Sequence, residues 1–243
     1  MTLKSHIPYK RVLLKLTGER LGGINGQGID FKAIDDVTRK ILLIRKDLKT
    51  EFAIVVGAGN LFRGRQARGT NVDRASADYI GMLGTVMNAL ALREALERIT
   101  GNDIRVMSTL LMPSVTEPFI RRKALYHLKK TGFIILAGGT GNPFFTTDSA
   151  AALRACELKC DVILKGSTVD GIYNKDPRVH SDAIRYTRLK YQDALERGLN
   201  IMDKTAFALC QTEKIPVIVF DAHDIRIVKD ILTGKEIGTL VTE

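Results

Sequence analysis

The sequence predicts an α/β protein with one mainly parallel sheet covered on both faces. Three observations carry that prediction. Short apolar, β-branched runs alternate along the chain with amphipathic helical patterns. Several of those runs stop at glycine, as strands do where they give way to loops at a sheet edge. No linker or low-complexity segment divides the 243 residues, so 1–243 reads as a single domain.

The elements follow in order. Residues 10–17, K-R-V-L-L-K-L-T, read as a strand that Gly18 ends. Lys15 lies near its tip, where ligands gather in such sheets. A loop with Gly22, Gly23, Gly26 and Gly28 comes next. Asp30 is placed to cap a helix that runs to about Leu48, with Ile34, Val37, Ile41 and Ile44 on one face. Residues 52–56 form the next strand, broken by G-A-G-N-L-F-R-G at 57–64. The longest helical pattern spans 74–99. Leu83, Val86, Met87 and Leu90 form one stripe, and Ile80, Met82, Ala91, Leu92 and Ala95 widen it. A helix apolar on so many sides is either deeply buried or packed on another subunit.

Residues 104–107 read as a short strand, 117–130 as an amphipathic helix, and 133–137 as a buried strand. Residues 138–152, G-G-T-G-N-P-F-F-T-T-D-S-A-A-A, then put a glycine turn directly before a helix start. Thr146, Thr147, Asp148 and Ser149 are successive candidate caps, and such a start exposes free amides to an anion. An ordinary strand–turn–helix connection is the plainer alternative. Residues 161–165 read as a strand ending in Lys165 and broken by Gly166, and 169–177 as a turn-rich stretch. Helices at 203–213 and 224–232, a strand at 216–220 and a final edge strand at 239–241 complete the chain.

Composition narrows the function classes. Apolar residues make up 45% of the chain, but the longest apolar runs are only strand-length, which argues against a membrane span. The first residues carry no apolar signal core, so a soluble, cytoplasmic protein is expected. Cys156, Cys160 and Cys210 have no second ligand pair, so they read as reduced thiols rather than zinc ligands or disulfides. The net charge of +10 favours anionic partners. Arg63, Arg65 and Arg68 form one short arginine–glycine stretch with little aromatic interleaving, too little to argue for nucleic acid.

One echo ties the loops together. Gly57-Ala-Gly-Asn-Leu-Phe and Gly139-Thr-Gly-Asn-Pro-Phe share G-x-G-N-x-F, and each follows an apolar strand. Both loops should leave the same sheet edge, suited to two phosphate groups or to one held from two sides. Lys15, three residues before Gly18, and Lys165, one before Gly166, add cations at that edge. There is no G-x-x-x-x-G-K-[ST], and the Gly57 loop lacks the third glycine of a dinucleotide fingerprint. Phosphoryl transfer needs aligned phosphates and neutralised charge more than covalent chemistry. Two lysines, glycine amides and an aspartate meet that need. The plainer roles are a solvent-facing strand end for Lys15 and a helix cap for Asp148.

In chain order, K-L-T-G-E (15–19), G-x-G-N-L-F-R-G, D-x-x-G-M-L-x-T-V-M-N (78–88), G-T-G-N-P-F-F-T-T-D-S-A-A, V-D-G-I-Y-N-K-D-P and Ile201-Met-Asp203 resemble the bacterial uridylate (UMP) kinases of the amino acid kinase superfamily. The resemblance covers nearly the whole chain. It implies a three-layer α/β/α sandwich and the reaction ATP + UMP → ADP + UDP with Mg²⁺. Lys15, Arg63, Asp148 and Lys165 then fall at catalytic positions. Lys15, Leu16, Thr17, Gly18, Gly59, Arg63, Ser167, Tyr173 and Asp176 fall at ATP positions. Ala58, Asp78, Thr140, Gly141, Asn142, Pro143, Phe144, Phe145, Thr146 and Thr147 fall at UMP positions. No protein side chain is implied as a metal ligand. Gly23, Ile24, Asn25, Gly26, Gln27 and Gly28 match a loop tied to GTP activation. UTP inhibition and a homohexamer are further implied.

The chain departs from the family pattern in places. Ala58 stands where a middle glycine is usual; a methyl there is placed where it could crowd a phosphate approached by backbone, although the flanking glycines remain, and its effect is left open. Thr17 replaces Ser, Ser167 replaces Thr, and Thr168 replaces Lys. Two alternatives stay open: a superfamily kinase acting on a carboxylate or carbamate, and a non-catalytic nucleotide- or RNA-binding regulator.

Overall fold

The computed structural model describes residues 9–64, 69–199 and 201–243. Strand β1 (Arg11–Leu16) leads through a 3₁₀ turn (Gly18–Leu21) and the glycine-rich loop to helix α1 (Phe31–Leu48), which Asp30 caps. Strand β2 (Glu51–Val56), the long helix α2 (Arg74–Thr100) and strand β3 (Arg105–Ser108) follow. Then come β4 (Glu117–Pro118), α3 (Arg121–Thr131), β5 (Phe133–Ala137), α4 (Thr147–Leu158) and β6 (Val162–Ser167). The hairpin β7 (Ile172–Tyr173) and β8 (Arg185–Tyr186) precedes β9 (Arg188–Lys190) and α5 (Tyr191–Glu196). Helix α6 (Lys204–Thr212), β10 (Val217–Asp221), α7 (Ile227–Leu232) and β11 (Thr239–Thr242) end the chain.

The central sheet has the order β4-β3-β5-β2-β1-β6-β10-β11-β9. Its pairings are parallel except β10 with β11. Alternate residues of β1 point to opposite faces. Val12, Leu14 and Leu16 join the core under α1, α2 and α7, while Leu13 joins the core under α3, α4 and α6. Helices on both faces of a mainly parallel sheet make the three-layer sandwich that the sequence implied. The chain leaves β1 toward β2 on one side and later returns to β6 on the other. The sheet therefore reverses its winding at β1, the place where ligands collect beyond the strand ends.

Several elements differ from the sequence reading. Residues 117–130 are not one helix: Glu117 and Pro118 pair with β3 as an edge strand, and α3 starts at Arg121. A residue before proline is pushed to extended backbone, which accounts for the break. Gly166 does not end its strand but lies inside β6, in register with Phe220. A Cβ there would lie 2.9 Å from Ala222 Cβ and 3.1 Å from the Lys15 carbonyl, so glycine serves close packing. Strand β11 is not an edge, because β9 pairs outside it. On α2, only Val86 of the Leu83, Val86, Met87 and Leu90 stripe is fully buried. The face turned to the core carries smaller residues, among them Gly84, Asn88, Ala89 and Ala95.

Candidate active site

Lys15 and Lys165 are register partners on the adjacent parallel strands β1 and β6, so their side chains leave the same face of the sheet. Helix α4 packs on that face and presents Asp148 in its first turn. Thr146 is the cap of this helix: its hydroxyl accepts from the amides of Asp148 (3.0 Å) and Ser149 (3.3 Å). Capping is thus taken off Asp148, and its carboxylate is left for the lysines. Lys165 donates to Oδ2 at 2.6 Å, and Lys15 faces Oδ1 at 3.2 Å. Lys165 also donates to the Ile201 carbonyl. The three side chains are only 13%, 13% and 17% exposed for Lys15, Lys165 and Asp148.

Burial pushes the Asp148 carboxyl upward, but Lys15 and then Lys165 outweigh it and hold the group below its ordinary 3.8. The amino end of α4 favours the same anion. Burial pulls Lys165 below its ordinary 10.5, with Asp148 opposing and Lys15 reinforcing the shift. Asp203 braces the cluster from outside. Ser149 Oγ lies 2.9 Å from both of its carboxylate oxygens, Thr146 donates to it, and Asp203 in turn accepts from the Ala206 amide to cap α6. In the sequence, Asp203 appeared as the end of a matching segment and the start of a helix. Its spacing to Thr146 and Ser149 carries no local signal.

One cleft, of about 290 Å³, opens between α2 and the two glycine loops. Of the residues matched to UMP positions, Ala58, Asp78, Thr140, Phe144, Phe145, Thr146 and Thr147 line it, whereas Gly141, Asn142 and Pro143 do not. Gly59 and Arg63, matched to ATP positions, line this cleft as well. Arg63 is fixed by the Gly59 carbonyl at 3.0 Å and by Glu19 at 2.8 Å. Asp78 accepts from the Phe144 amide at 2.7 Å, and Phe144 has a positive φ of 71°. Asp78 therefore secures a strained turn of the 139–147 loop to α2. The Arg74 guanidinium sits 5.0 Å from the centre of the Phe144 ring. The Ala58 methyl faces α2, where a Cβ on Gly84 would come within 2.9 Å of it. The crowding falls on the helix, and Gly84 relieves it.

A second cleft, of about 590 Å³, is lined by Lys165, Ser167, Tyr173, Asp176 and Arg178. The Tyr173 hydroxyl donates to Asp170 at 2.6 Å, and Asp176 accepts from the Arg178 amide at 2.9 Å. Thr168 accepts from the Arg178 guanidinium at 2.6 Å, so a cation stands beside the position where the family pattern has lysine. Lys15, Leu16, Thr17 and Gly18 line neither cleft. Leu16 is wholly buried, backbone included, so it presents no surface to a ligand. Gly18 lets two loops touch: a Cβ on it would lie 2.7 Å from the Gly59 amide nitrogen. In the 23–28 loop, Ile24 is fully exposed and Gly28 is tied to Asn60. Arg65 and Arg68 lie outside the described residues. Among the described residues, no three His, Cys, Asp or Glu side chains converge as metal ligands, and no helix is long and apolar enough to cross a membrane.

Comparison with known proteins agrees with this arrangement. Residues 10–221 match the model of the amino acid kinase family. Uridylate kinase of Paramagnetospirillum magneticum is 45% identical over 98% of this chain and 99% of its own. The structure of UMP kinase from Bacillus anthracis superposes with a TM-score of 0.92 at 38% identity, covering 97% of this chain and 96% of that one. UMP kinase from Ureaplasma parvum gives 0.89 at 34% identity, over 96% and 99% of the two chains. The chain belongs to the amino acid kinase family, and within it stands with the uridylate kinases.

Proposed function

We propose that the protein transfers the γ-phosphoryl group of ATP to UMP, giving ADP and UDP. The observation that carries this reading is the Lys15–Asp148–Lys165 cluster, linked through Lys165 to one cleft and through the Thr146–Thr147 segment to the other. The reading puts ATP in the cleft of Ser167, Tyr173 and Asp176, its phosphates reaching Lys15, Lys165 and the Gly18 turn. UMP lies between the two G-x-G-N loops, with its phosphate near Arg63 and its ribose near Asp78. An oxygen of the UMP phosphate attacks the γ-phosphorus as the bond to ADP breaks. That oxygen is already anionic, so no general base is required, and catalysis rests on alignment and charge stabilisation. Asp148 orients the two lysines.

Mg²⁺ bound to ATP would help neutralise the phosphate oxygens. The residues fit that role, since magnesium commonly rides on substrate phosphates with few protein ligands, and Asp148 is the carboxylate at hand. Regulation by GTP at the 23–28 loop, inhibition by UTP, a homohexamer and a cytoplasmic location belong to the same reading. The exposed apolar stripe of α2 supports the assembly.

An ADP-release assay with ATP and each nucleoside monophosphate tests the proposal. UMP should give the highest kcat/KM. Donors in the 140–147 loop that meet uracil O4 would oppose the amino group of CMP and leave polar groups unpaired. Equal kcat/KM for CMP and UMP would refute that selectivity. Turnover of acetylglutamate or carbamate with none of UMP would replace the reading with a carboxylate- or carbamate-directed kinase. Salt-sensitive RNA binding without turnover would indicate a regulator instead.

A further inference from the structure

Asn88 lies mid-way along α2, wholly buried, and Asn60 is 5% exposed at the end of the Gly57 loop. Their amides bond reciprocally: Asn60 donates to Asn88 Oδ1 at 3.0 Å, and Asn88 donates to Asn60 Oδ1 at 2.7 Å. Each spends its second N–H on a backbone carbonyl. Asn88 donates to Gly57 at 2.8 Å, and Asn60 donates to Gly28. The Gly28 amide closes the circuit by donating to the Asn60 carbonyl at 2.9 Å. Every amide hydrogen of the two side chains is thus used inside the protein.

The consequence falls on the loop. The carbonyl of Gly57 is taken by Asn88, that of Ala58 by the amides of Leu61 and Phe62, that of Gly59 by Arg63 and that of Asn60 by Gly28. The amides of Ala58, Gly59 and Asn60 have no acceptor among the described residues. With its carbonyls fastened on the protein side, the loop holds its N–H groups ready for an anion. We infer that Asn60 and Asn88 are positioning residues for phosphoryl transfer, holding the Gly57–Asn60 backbone in its anion-binding form and locking the 23–28 loop to it. This rests on the proposed phosphate site at that loop. The pair touches no substrate and acts through the backbone.

Hydrogen exchange and kinetics on Asn60→Ala, Asn88→Ala and the double variant of the full chain test the inference. The bonded amides that report on the loop, those of Gly57, Leu61 and Phe62 together with Gly28, should lose protection together, by about tenfold, in either single variant. The kcat/KM for UMP should fall by at least about tenfold, and the double variant should be little worse than each single one, as for residues that act as a unit. A folded variant with lowered melting temperature but unchanged protection at Gly57, Leu61 and Phe62 and kinetics within twofold of the parent would overturn it, leaving a purely structural pair. Gly28→Ala keeps the core intact should the asparagine variants not fold: φ there is +67°, and the added methyl meets nothing within 4 Å, so only the tethered loop is strained. It should lower protection at Gly57, Leu61 and Phe62, and unchanged protection there would also overturn the inference. Failure of the parent to phosphorylate UMP would count against the proposed function alone, because the exchange result stands without turnover.

Discussion

Lys15 and Lys165 are paired in register across adjacent parallel strands, and a single carboxylate, Asp148, spans both ammonium groups. Two like charges on one face of a sheet repel. Their attraction to Asp148 holds them side by side, aimed past the strand ends. Asp148→Asn keeps the shape and removes that charge. We expect kcat to fall about 100-fold, the scale of losing one preorganised electrostatic contact, with KM for UMP changed less than about threefold. Stability should drop by about 3 kcal/mol, because two partly buried lysines lose their anion. Steady-state kinetics and urea unfolding read the two effects separately. Unchanged kcat in a folded variant would remove Asp148 from the chemistry.

The same cluster sets a pH dependence. Burial holds Lys165 below 10.5, so it loses its charge earlier than an ordinary lysine. The alkaline limb of kcat/KM, which reports the free enzyme, should therefore begin below pH 10.5. Arginine does not titrate in this range, so Lys165→Arg should abolish that limb even where its rate is lower. Stability follows the opposite edge. Asp148 is held below 3.8 in the folded protein, so its contribution is present above that value and is lost as pH falls through the folded one. Urea midpoints measured from pH 5 downward should show this loss in the parent and not in Asp148→Asn.

Much of this site was legible in the chain. The alternation of strands and helices gave the layers, and the glycines at 18, 57–59 and 138–141 marked the loops beyond the strand ends. The two strands that carry the lysines turned out to be neighbours. Some relationships were beyond reach because they depend on distant residues meeting. Nothing near Asp203 says that it braces α4, and nothing near Asn88 says that it fastens Gly57. Segments 185–190 and 191–196 are too short for periodicity to speak. The contact of Ala58 was hidden because its neighbours in sequence are loop glycines, while its neighbour in space is Gly84 on a helix.

That last contact gives a reciprocal test. Ala58→Gly should leave KM for UMP within about twofold, since the methyl is turned to α2. Gly84→Ala should cost about 1–3 kcal/mol, as overpacking does, because the new Cβ would sit 2.9 Å from Ala58 Cβ. Combining the two changes should restore most of the loss. Melting temperatures of the four proteins decide it: additive losses would mean that the two positions are not in contact.

Helix α2 also presents Ile80, Leu83 and Met87 to the outside, with 46%, 46% and 53% exposure. These positions lie on one face at helical spacing, with Tyr79 beside them at 43%. Fully burying a leucine or methionine side chain stabilises by about 1.5–3 kcal/mol, so covering this stripe in an assembly would be favourable. Leu83→Glu would put a charge into that contact. Sedimentation velocity should show the parent as an oligomer and Leu83→Glu as a smaller species, and the parent's melting temperature should rise with concentration. Helix α2 also carries Asp78, which secures the 139–147 loop, and Asn88, which fastens the Gly57 loop. Dissociation should thus lower activity toward UMP, because it frees the helix on which both walls of that cleft are mounted. A monomeric parent with full activity would separate α2 from any role in assembly.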